Sequence, residues 1–243
     1  MRVLDTFKTQ NKCQDCSLRS KEFFCSLSAE SLREFEALKI TNIYPKGSTL
    51  FIESQPANGV FMICQGRVKL TTYSRDGKAL ILRIAGPGEV LGLSATVSEA
   101  AHETTAEVME PCQVNFVRKA DFLKFIAQNA EAGFSAVRQI SQNYHKAHTQ
   151  ICSLGLSASV ADKLAKLFLE WSENTTPNGA VRLKMTFTHE EIAEMIGTSR
   201  ETVTRLLKHF REQDLITVKG SDLYIHDRDR LEATIGTRPN LRR

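Results

Sequence analysis

The sequence has no apolar run of the length that crosses a membrane, which is roughly 18 residues. Its first residues, MRVLDTFKTQNKCQDC, also lack the apolar core that a signal peptide needs. We therefore expect a cytoplasmic protein with no membrane partner, in a compartment where thiols stay reduced. The six cysteines are then metal ligands, redox groups or packing residues before they are structural disulfides.

The sequence also has little net charge, only +4 over 243 residues. From residue 151 onward, 14 Lys and Arg stand against 13 Asp and Glu, so bulk charge does not mark that half as nucleic-acid-binding. The length allows two domains of ordinary size, and 42% hydrophobic with 25% charged residues is typical of a globular protein. A nucleic-acid partner must therefore be argued from the positions of individual arginines.

Residue sets that would indicate an enzyme are missing as well. A metal enzyme built on a small β-roll needs a cluster of histidines and carboxylates inside it, but residues 43–118 contain only His102. His145 and His148 lie three residues apart on a predicted helix, where solvated positions are more common than metal sites. No phosphate-binding Gly-rich lysine loop and no Ser/His/Asp set is found. We predict that the chain is not an enzyme.

Short apolar runs separated by turn signals occupy residues 43–118, after a cysteine-bearing leader (1–27) and a helix that Ser28 can cap. The turn signals include Asn58-Gly59 and Asp76-Gly77. Their regular spacing predicts an antiparallel roll or barrel, within a domain at 28–120. The runs are Thr49–Ile52, Val60–Ile63, Val68–Tyr73 and Leu80–Ile84.

A long helix is predicted over 121–155, with apolar residues alternating three and four apart, as in a coiled-coil seam. The flanking positions are polar, which leaves a narrow stripe that suits one facing helix. This pattern favours a homodimer; the alternative is a helix that packs on its own domain. The predicted dimerisation residues are Val137, Ile140, Tyr144, Ala147, Ile151 and Leu154.

Residues 156–243 contain the strongest motif. Thr188-His-Glu-Glu191 reads as a capping box that opens a short helix, Gly197 supplies a tight turn, and Thr198-Ser-Arg-Glu201 reads as a second capping box. Two short helices joined by a glycine turn are typical of a helix-turn-helix. The segments Thr217–Gly220 and Leu223–Ile225 predict a β-hairpin wing. The predicted fold class is therefore α+β: an N-terminal β-roll, a long dimerisation helix and a C-terminal winged helix-turn-helix.

The exposed side of the second helix has the chemistry of a major-groove reader. Arginine donates two hydrogen bonds to guanine, and glutamate accepts one from cytosine, so we expect Arg200, Glu201 and Arg205 to read bases. The alternative is a capped surface helix with solvated charges. The full predicted DNA-binding set is Thr188, Ser199, Arg200, Glu201, Thr204, Arg205 and Lys219.

At this point the chain resembles the Crp/Fnr family of bacterial transcription regulators. The segment 196–207, IGTSRETVTRLL, is similar to the family's recognition segment. The β region is similar to its cyclic-nucleotide-binding-type jelly roll, which implies that 28–120 is the sensory domain. The branch that responds to cyclic AMP carries Arg-Glu-x-x-x-Arg, found here as Arg200, Glu201 and Arg205. The resemblance implies a dimer that binds a palindrome of TGTGA-like half-sites in double-stranded DNA, with RNA polymerase as a further partner. A cyclic-nucleotide-type module that regulates a partner protein is the alternative function.

The sensory half departs from the cyclic-AMP branch. Leu93 stands where that branch has a glutamate, and Thr104 and Thr105 stand where it has an Arg-Ser pair. A cyclic phosphate needs a charge-assisted partner to be held against water. We therefore expect an effector other than cyclic AMP.

The cysteines resemble those of the family's oxygen-sensing branch, which binds a [4Fe–4S] cluster with three leader cysteines and one from the roll. The resemblance implies Cys13, Cys16, Cys25 and Cys112 as the ligands. The gap from Cys16 to Cys25 is longer than in that branch. Zinc, a regulatory dithiol or a small structural knot are the alternatives. Cys64 and Cys152 are predicted to be buried fillers.

Overall fold

The computed structural model describes residues 12–19, 23–157, 159–172, 181–184, 187–220 and 222–236. The chain divides into two compact units, Met1–Lys146 and Ala147–Arg243. The sequence at 174–179, NTTPNG, predicts a break after a helix, and this segment lies outside the described residues. In the described part of the chain, no helix is both long and apolar enough to cross a membrane.

In the described part of the first unit, eight strands form the roll, as two four-stranded antiparallel sheets. The helix-covered sheet has the order β1-β8-β3-β6 and the second sheet the order β2-β7-β4-β5. The strands are β1 (Ile40–Tyr44), β2 (Thr49–Phe51), β3 (Gly59–Gln65), β4 (Val68–Tyr73), β5 (Ala79–Ala85), β6 (Val90–Leu91), β7 (Thr105–Val108) and β8 (Cys112–Arg118).

Two apolar clusters lie on the two faces of the helix-covered sheet. The inner cluster fills the space between the sheets, with Ile63, Cys112 and Val114 from the helix-covered sheet and Val68 and Ala106 from the second sheet. The outer cluster joins the other face to helices. Its members are Phe24, Leu27, Phe35, Val60, Met62, Val90, Leu93, Val117, Phe122, Phe125, Ala132 and Ala136. Because successive side chains of a strand point to opposite faces, Cys112 and Val114 are inward while Asn115 and Val117 lie on the outer face.

The first helix, α1 (Ala29–Leu38), begins as the sequence predicts. The Ser28 hydroxyl accepts a hydrogen bond from the Ser31 amide at 3.3 Å, which caps the helix. The Ser28 amide in turn donates to the Glu131 carboxylate at 2.8 Å. The Ser31 hydroxyl donates to the same carboxylate at 3.1 Å. These two hydrogen bonds join the start of α1 to Glu131.

The predicted single helix at 121–155 is divided in the structure. A short helix, α2 (Leu93–Val97), precedes β7, and two helices follow β8: α3 (Lys119–Gln128) and α4 (Ala130–Leu156). The break falls at Asn129, whose side-chain oxygen accepts from the Ala132 amide at 3.1 Å. Asparagine favours such caps over helix interiors, which explains the break.

The long helix α4 crosses the boundary between the two units, and its part in the first unit buries one side and exposes the other. Its buried residues are Ala132, Ser135, Ala136 and Gln139, and Gln139 donates to the Val90 carbonyl at 2.7 Å. The opposite side carries what we call the apolar stripe: Phe134, Val137, Tyr144 and Ile151, which are 62–69% exposed. Ile140, predicted in the dimer seam, instead packs partly against the outer cluster, while Ala147 is exposed and Leu154 half-buried.

The described part of the second unit contains a three-stranded sheet, the paired short helices and further helices before and after them. The strand order is β10-β11-β9, so β9 adds a third strand that the sequence analysis did not predict beside the predicted wing hairpin. Phe168, Trp171 and Phe187 pack in a row, with ring centroids 5.8 and 4.9 Å apart. The elements are α5 (Val160–Ser172), β9 (Val181–Lys184), α6 (His189–Ile196), α7 (Arg200–Glu212), β10 (Ile216–Lys219), β11 (Asp222–Ile225) and α8 (Arg228–Ala233).

Candidate DNA-binding surface

Helix α6 has the predicted capping box. The Thr188 hydroxyl accepts from the Glu191 amide at 3.1 Å, and the Thr188 amide donates to the Glu191 carboxylate at 2.8 Å. Ile192, Ala193 and Ile196 form its buried side. Thr188 is exposed, but its hydroxyl already accepts the capping hydrogen bond. Its primary role in this structure is therefore to cap α6.

A left-handed glycine ends α6 and lets α7 follow within three residues. Gly197 has φ +66°, a conformation that residues with a side chain rarely adopt. The next helix is capped by Ser199, whose hydroxyl accepts from the Thr202 amide at 3.3 Å. The predicted second capping box, opened by Thr198, is therefore wrong by one residue, because the side chain that reaches the free amides of the first turn is that of Ser199.

Helix α7 separates an apolar side from a polar side. Val203, Leu206, Leu207 and Phe210 are buried, which fixes the helix against its unit. The opposite side is exposed and forms a shallow surface depression. Its lining residues are Arg200, Glu201, Thr204, Arg205, Lys208 and Arg211. The structure therefore places Arg200, Glu201 and Arg205 on one exposed side of one helix, as the sequence predicts.

Local hydrogen bonds order this surface. The Thr204 hydroxyl donates to the Arg200 carbonyl at 3.0 Å and lies 2.9 Å from Nδ1 of His189, so it links α7 to the first turn of α6. The histidine was not singled out in the sequence, where its position after Thr188 gave no signal of this contact. Hydrogen bonds lower the pKa of the Glu201 carboxyl: the backbone amide of Glu201 has the larger effect, and the Ser199 side chain the smaller one. Glu201 is thus an ionised acceptor.

The wing lies on the strands that follow α7. β10 and β11 pair antiparallel, with Thr217 opposite Tyr224 and Lys219 opposite Asp222. Lys219 is exposed near the turn of this hairpin. A short sheet beside two short helices completes the winged helix-turn-helix arrangement.

Both halves of the chain match known family models. Residues 41–129 match the cyclic nucleotide-binding domain, and residues 162–234 match the Crp-like helix-turn-helix domain. The chain belongs to the Crp/Fnr family of transcription regulators. This membership confirms the predicted α+β fold class, the DNA-binding role of the second unit and the prediction that the protein is not an enzyme.

Individual relatives have low sequence identity to this chain, but the alignments cover most of both proteins. The chain is 26% identical over 190 residues to the CRP-like cAMP-activated global transcriptional regulator of Mycobacterium tuberculosis, which covers 77% of this chain and 84% of that protein. It is 26% identical over 227 residues to the nitrogen fixation regulation protein FixK of Bradyrhizobium diazoefficiens, covering 91% and 92%. The structure of FixK2 from Bradyrhizobium japonicum has a TM-score of 0.71 at 21% identity, over 82% of this chain and 98% of that one. This last similarity supports the fold.

In the sensory unit of this Crp/Fnr regulator, the three positions that correspond to the nucleotide ligands of the cyclic-AMP branch carry no charged side chain. Leu93 is buried in the outer cluster at the start of α2. The Thr105 hydroxyl accepts from the Glu53 amide at 3.1 Å, and Thr104 is half-buried. Nearby, His102 is buried and stacks on Phe51 with ring centroids 3.9 Å apart. Burial lowers the pKa of His102.

The four cysteines assigned to a cluster are not brought together. Cys112 is fully buried in the inner cluster, and its Sγ lies 3.4 Å from the Arg67 carbonyl. Burial raises its pKa to about 11. Cys25, in contrast, packs against the outer cluster, on the other face of the sheet. Among the described residues, no group of three or more His, Cys, Asp or Glu is arranged to hold a metal ion. The set that includes Cys112 therefore does not fit a cluster.

Cys152 also differs from its predicted role. It is half-buried on α4, and its Sγ lies 4.0 Å from the ring nitrogens of His148, one turn earlier. Cys64 is likewise only half-buried. Neither residue is the fully buried filler that the sequence analysis predicted.

Proposed function

We propose that this Crp/Fnr regulator acts as a homodimer that reads a palindrome of TGTGA-like half-sites, under the control of a signal sensed by its first unit. In this proposal Arg200, Glu201 and Arg205 contact base edges, while Thr188, Ser199, Thr204 and Lys219 lie near phosphates. RNA polymerase is the proposed protein partner. The observation that carries the proposal is the exposed polar side of α7.

Two features of that side support base reading. Arg200 and Glu201 lie in the first turn of α7, the part of a recognition helix that reaches base edges. Arg205 lies five residues later, also exposed. The apolar residues that would hold α7 in place are all buried behind it, so the three side chains are positioned by a rigid element.

The first prediction concerns the guanidinium groups. We expect Arg200→Ala and Arg205→Ala each to weaken binding to a TGTGA palindrome by about 1–3 kcal/mol, since each removes a bidentate contact to guanine. This corresponds to roughly 5- to 150-fold in the dissociation constant. Gel-shift titration against the palindrome and against random duplex of equal length measures both the loss and its sequence dependence.

Lysine variants of the same positions are the matched controls. Arg205→Lys keeps the charge but loses the planar two-donor fork, so it should weaken the cognate complex while leaving the random-duplex affinity unchanged. Lys219→Ala, by comparison, should weaken both complexes alike and reduce the salt dependence by about one counterion. Arginine variants that lose affinity equally for both duplexes would make these residues phosphate contacts and contradict the base-reading assignment.

For the signal, we propose an effector other than cyclic AMP. Leu93 is buried and apolar, and neither Thr104 nor Thr105 carries the charge that a cyclic phosphate requires. We expect cyclic AMP to leave the thermal midpoint of the full-length protein unchanged, whereas a ligand at about 100 times its Kd would stabilise it by about 2.7 kcal/mol. A cyclic-AMP-activated relative, run in parallel, supplies the positive control. A midpoint that rises with cyclic AMP would refute this part of the proposal.

A further inference from the structure

A polar contact joins the two helices of the helix-turn-helix on their exposed side. The Thr204 hydroxyl of α7 lies 3.0 Å from the Arg200 carbonyl oxygen and 2.9 Å from Nδ1 of His189, the first residue of α6. Both distances are within the range of a hydrogen bond. The chemistry of these three groups decides which atom donates in each.

The direction of both hydrogen bonds follows from the atoms that make them. A carbonyl oxygen only accepts and a hydroxyl group has one hydrogen, so Thr204 gives its hydrogen to the Arg200 carbonyl. The Thr204 oxygen then accepts from His189, whose Nδ1 must carry a hydrogen. The opposite assignment would leave two oxygens 3.0 Å apart with no hydrogen between them. The neutral ring of His189 is therefore the tautomer that is protonated at Nδ1.

The hydrogen bond from His189 to Thr204 supplies a constraint that the core between the helices does not. The residues that the two helices bury are all apolar: Ile192, Ala193, Met195 and Ile196 on α6, and Val203, Leu206, Leu207 and Phe210 on α7. Burial of apolar surface is non-directional, whereas a hydrogen bond prefers one distance and a narrow range of angles. The bond therefore limits how α7 can turn or slide against the first turn of α6.

We propose that His189 is a positioning residue for base reading, which acts by donating its Nδ1 hydrogen to Thr204. This inference rests on the DNA function proposed above and adds to it a residue of the first helix. Arg200 supplies the carbonyl that Thr204 bonds, and Arg205 directly follows Thr204, so both base-reading arginines belong to the backbone that these bonds constrain. The capping box at Thr188 holds the first turn of α6 and thus the backbone of His189.

Base discrimination in variants of the full-length protein tests this role. Gel-shift titration gives the affinities for the TGTGA palindrome and for random duplex, and their ratio measures discrimination. We expect His189→Ala to lower this ratio about 2- to 12-fold, the range for one net hydrogen bond. The random-duplex affinity should stay unchanged, because phosphate contacts dominate it.

His189→Asn is the matched control, since its side-chain amide places an N–H donor close to the position of Nδ1. It should keep the wild-type ratio. Thr204→Val removes the acceptor and should lower the ratio as His189→Ala does. The double variant His189→Ala with Thr204→Val should lose no more than either single variant, because both substitutions break the same bond.

Nitrogen-15 NMR of the imidazole rings tests the hydrogen bond without DNA. In the free protein at about pH 8, where histidine side chains are neutral, we expect the His189 ring to carry its hydrogen on Nδ1. The His189→Asn variant assigns the signal, which it lacks. A hydrogen on Nε2 instead would overturn the proposal, and so would a wild-type ratio in His189→Ala.

Equal loss of random-duplex affinity in His189→Ala and His189→Asn would also overturn the proposal, because the ring would then be a phosphate contact. A wild type that binds both duplexes equally would refute the proposed DNA function instead. The NMR result would still decide the hydrogen bond, so the two proposals can fail separately.

Discussion

Glutamate in place of Val137 or Ile151 is expected to leave the protein monomeric and to abolish most of its sequence-specific DNA binding. Both side chains belong to the apolar stripe of α4 and are 62% and 69% exposed in the single chain. Covering each such side chain is worth about 1.5–3 kcal/mol. In a twofold dimer each substitution occurs on both subunits, so two carboxylates would enter one apolar interface. A monomer then engages only one half-site of the palindrome.

Sedimentation velocity gives the oligomeric state, and gel shift on the same samples gives the binding. Gln142→Glu is the matched control, since it adds the same charge to an exposed position of α4, five residues beyond Val137 and hence toward another side of the helix. We expect this control to sediment as the wild type. Ile140 is not a suitable test position, because it packs partly against its own unit. A dimer that persists in both stripe variants would show that α4 is not the subunit interface.

Gly59→Ala is expected to destabilise the first unit by about 3 kcal/mol or more. An added Cβ at this position would lie 2.1 Å from the Val117 carbonyl oxygen and 2.8 Å from the Phe116 ring. The first of these atoms is backbone in a central strand, so relief requires β3 and β8 to move apart. Overpacking of this kind costs about 1–3 kcal/mol or more. Differential scanning calorimetry of the full-length protein should show a midpoint lower by roughly 6–12 °C.

The control for this result is another glycine of the same unit. An added Cβ at Gly86 meets no atom within 4 Å, and its backbone is not left-handed. Gly86→Ala should therefore change stability by no more than about 1 kcal/mol, since only the entropy of the unfolded chain differs. Equal midpoints for the two alanine variants would mean that β3 and β8 accommodate a methyl group at Gly59 without loss of stability.

Local sequence signals were sufficient for the DNA-binding motif. The Thr188–Glu191 box and the left-handed turn at Gly197 each depend on residues within one helical turn, so their chemistry fixes the backbone without long-range information. The burial of Val203 and Phe210 follows from the same short period. Once the apolar side of α7 is assigned to the core, Arg200 and Arg205 are predicted to lie on the exposed side.

Signals that depend on strand pairing were less informative. Asn58-Gly59 reads as a turn, yet Gly59 is the first residue of β3 and is needed for the approach to Val117. The third strand of the wing, β9, pairs with β11, which is distant from it in sequence. Both features depend on pairing with a strand that is distant in sequence, so a local sequence pattern cannot predict them.

The cysteines show the same limit. Residues 60–64, VFMIC, are all apolar, so alternation does not reveal which side of β3 faces the helices. The pairing of β3 with β8 also shifts between Ile63 and Gln65, next to Cys64. Only the assembled sheet shows that Cys64 lies on the outer face and Cys112 on the inner one.

The hydrogen bonds at the start of α1 connect the residues around Cys25 to the long helix α4. Only Ser26 and Leu27 separate Cys25 from Ser28, whose amide is held by the Glu131 carboxylate in the first turn of α4. Asn129 adds a second tie, donating to the Ser31 hydroxyl at 2.7 Å. A displacement of residues 25–28 would lengthen the bond from Ser28 to Glu131, so we expect this segment and the first turn of α4 to move together.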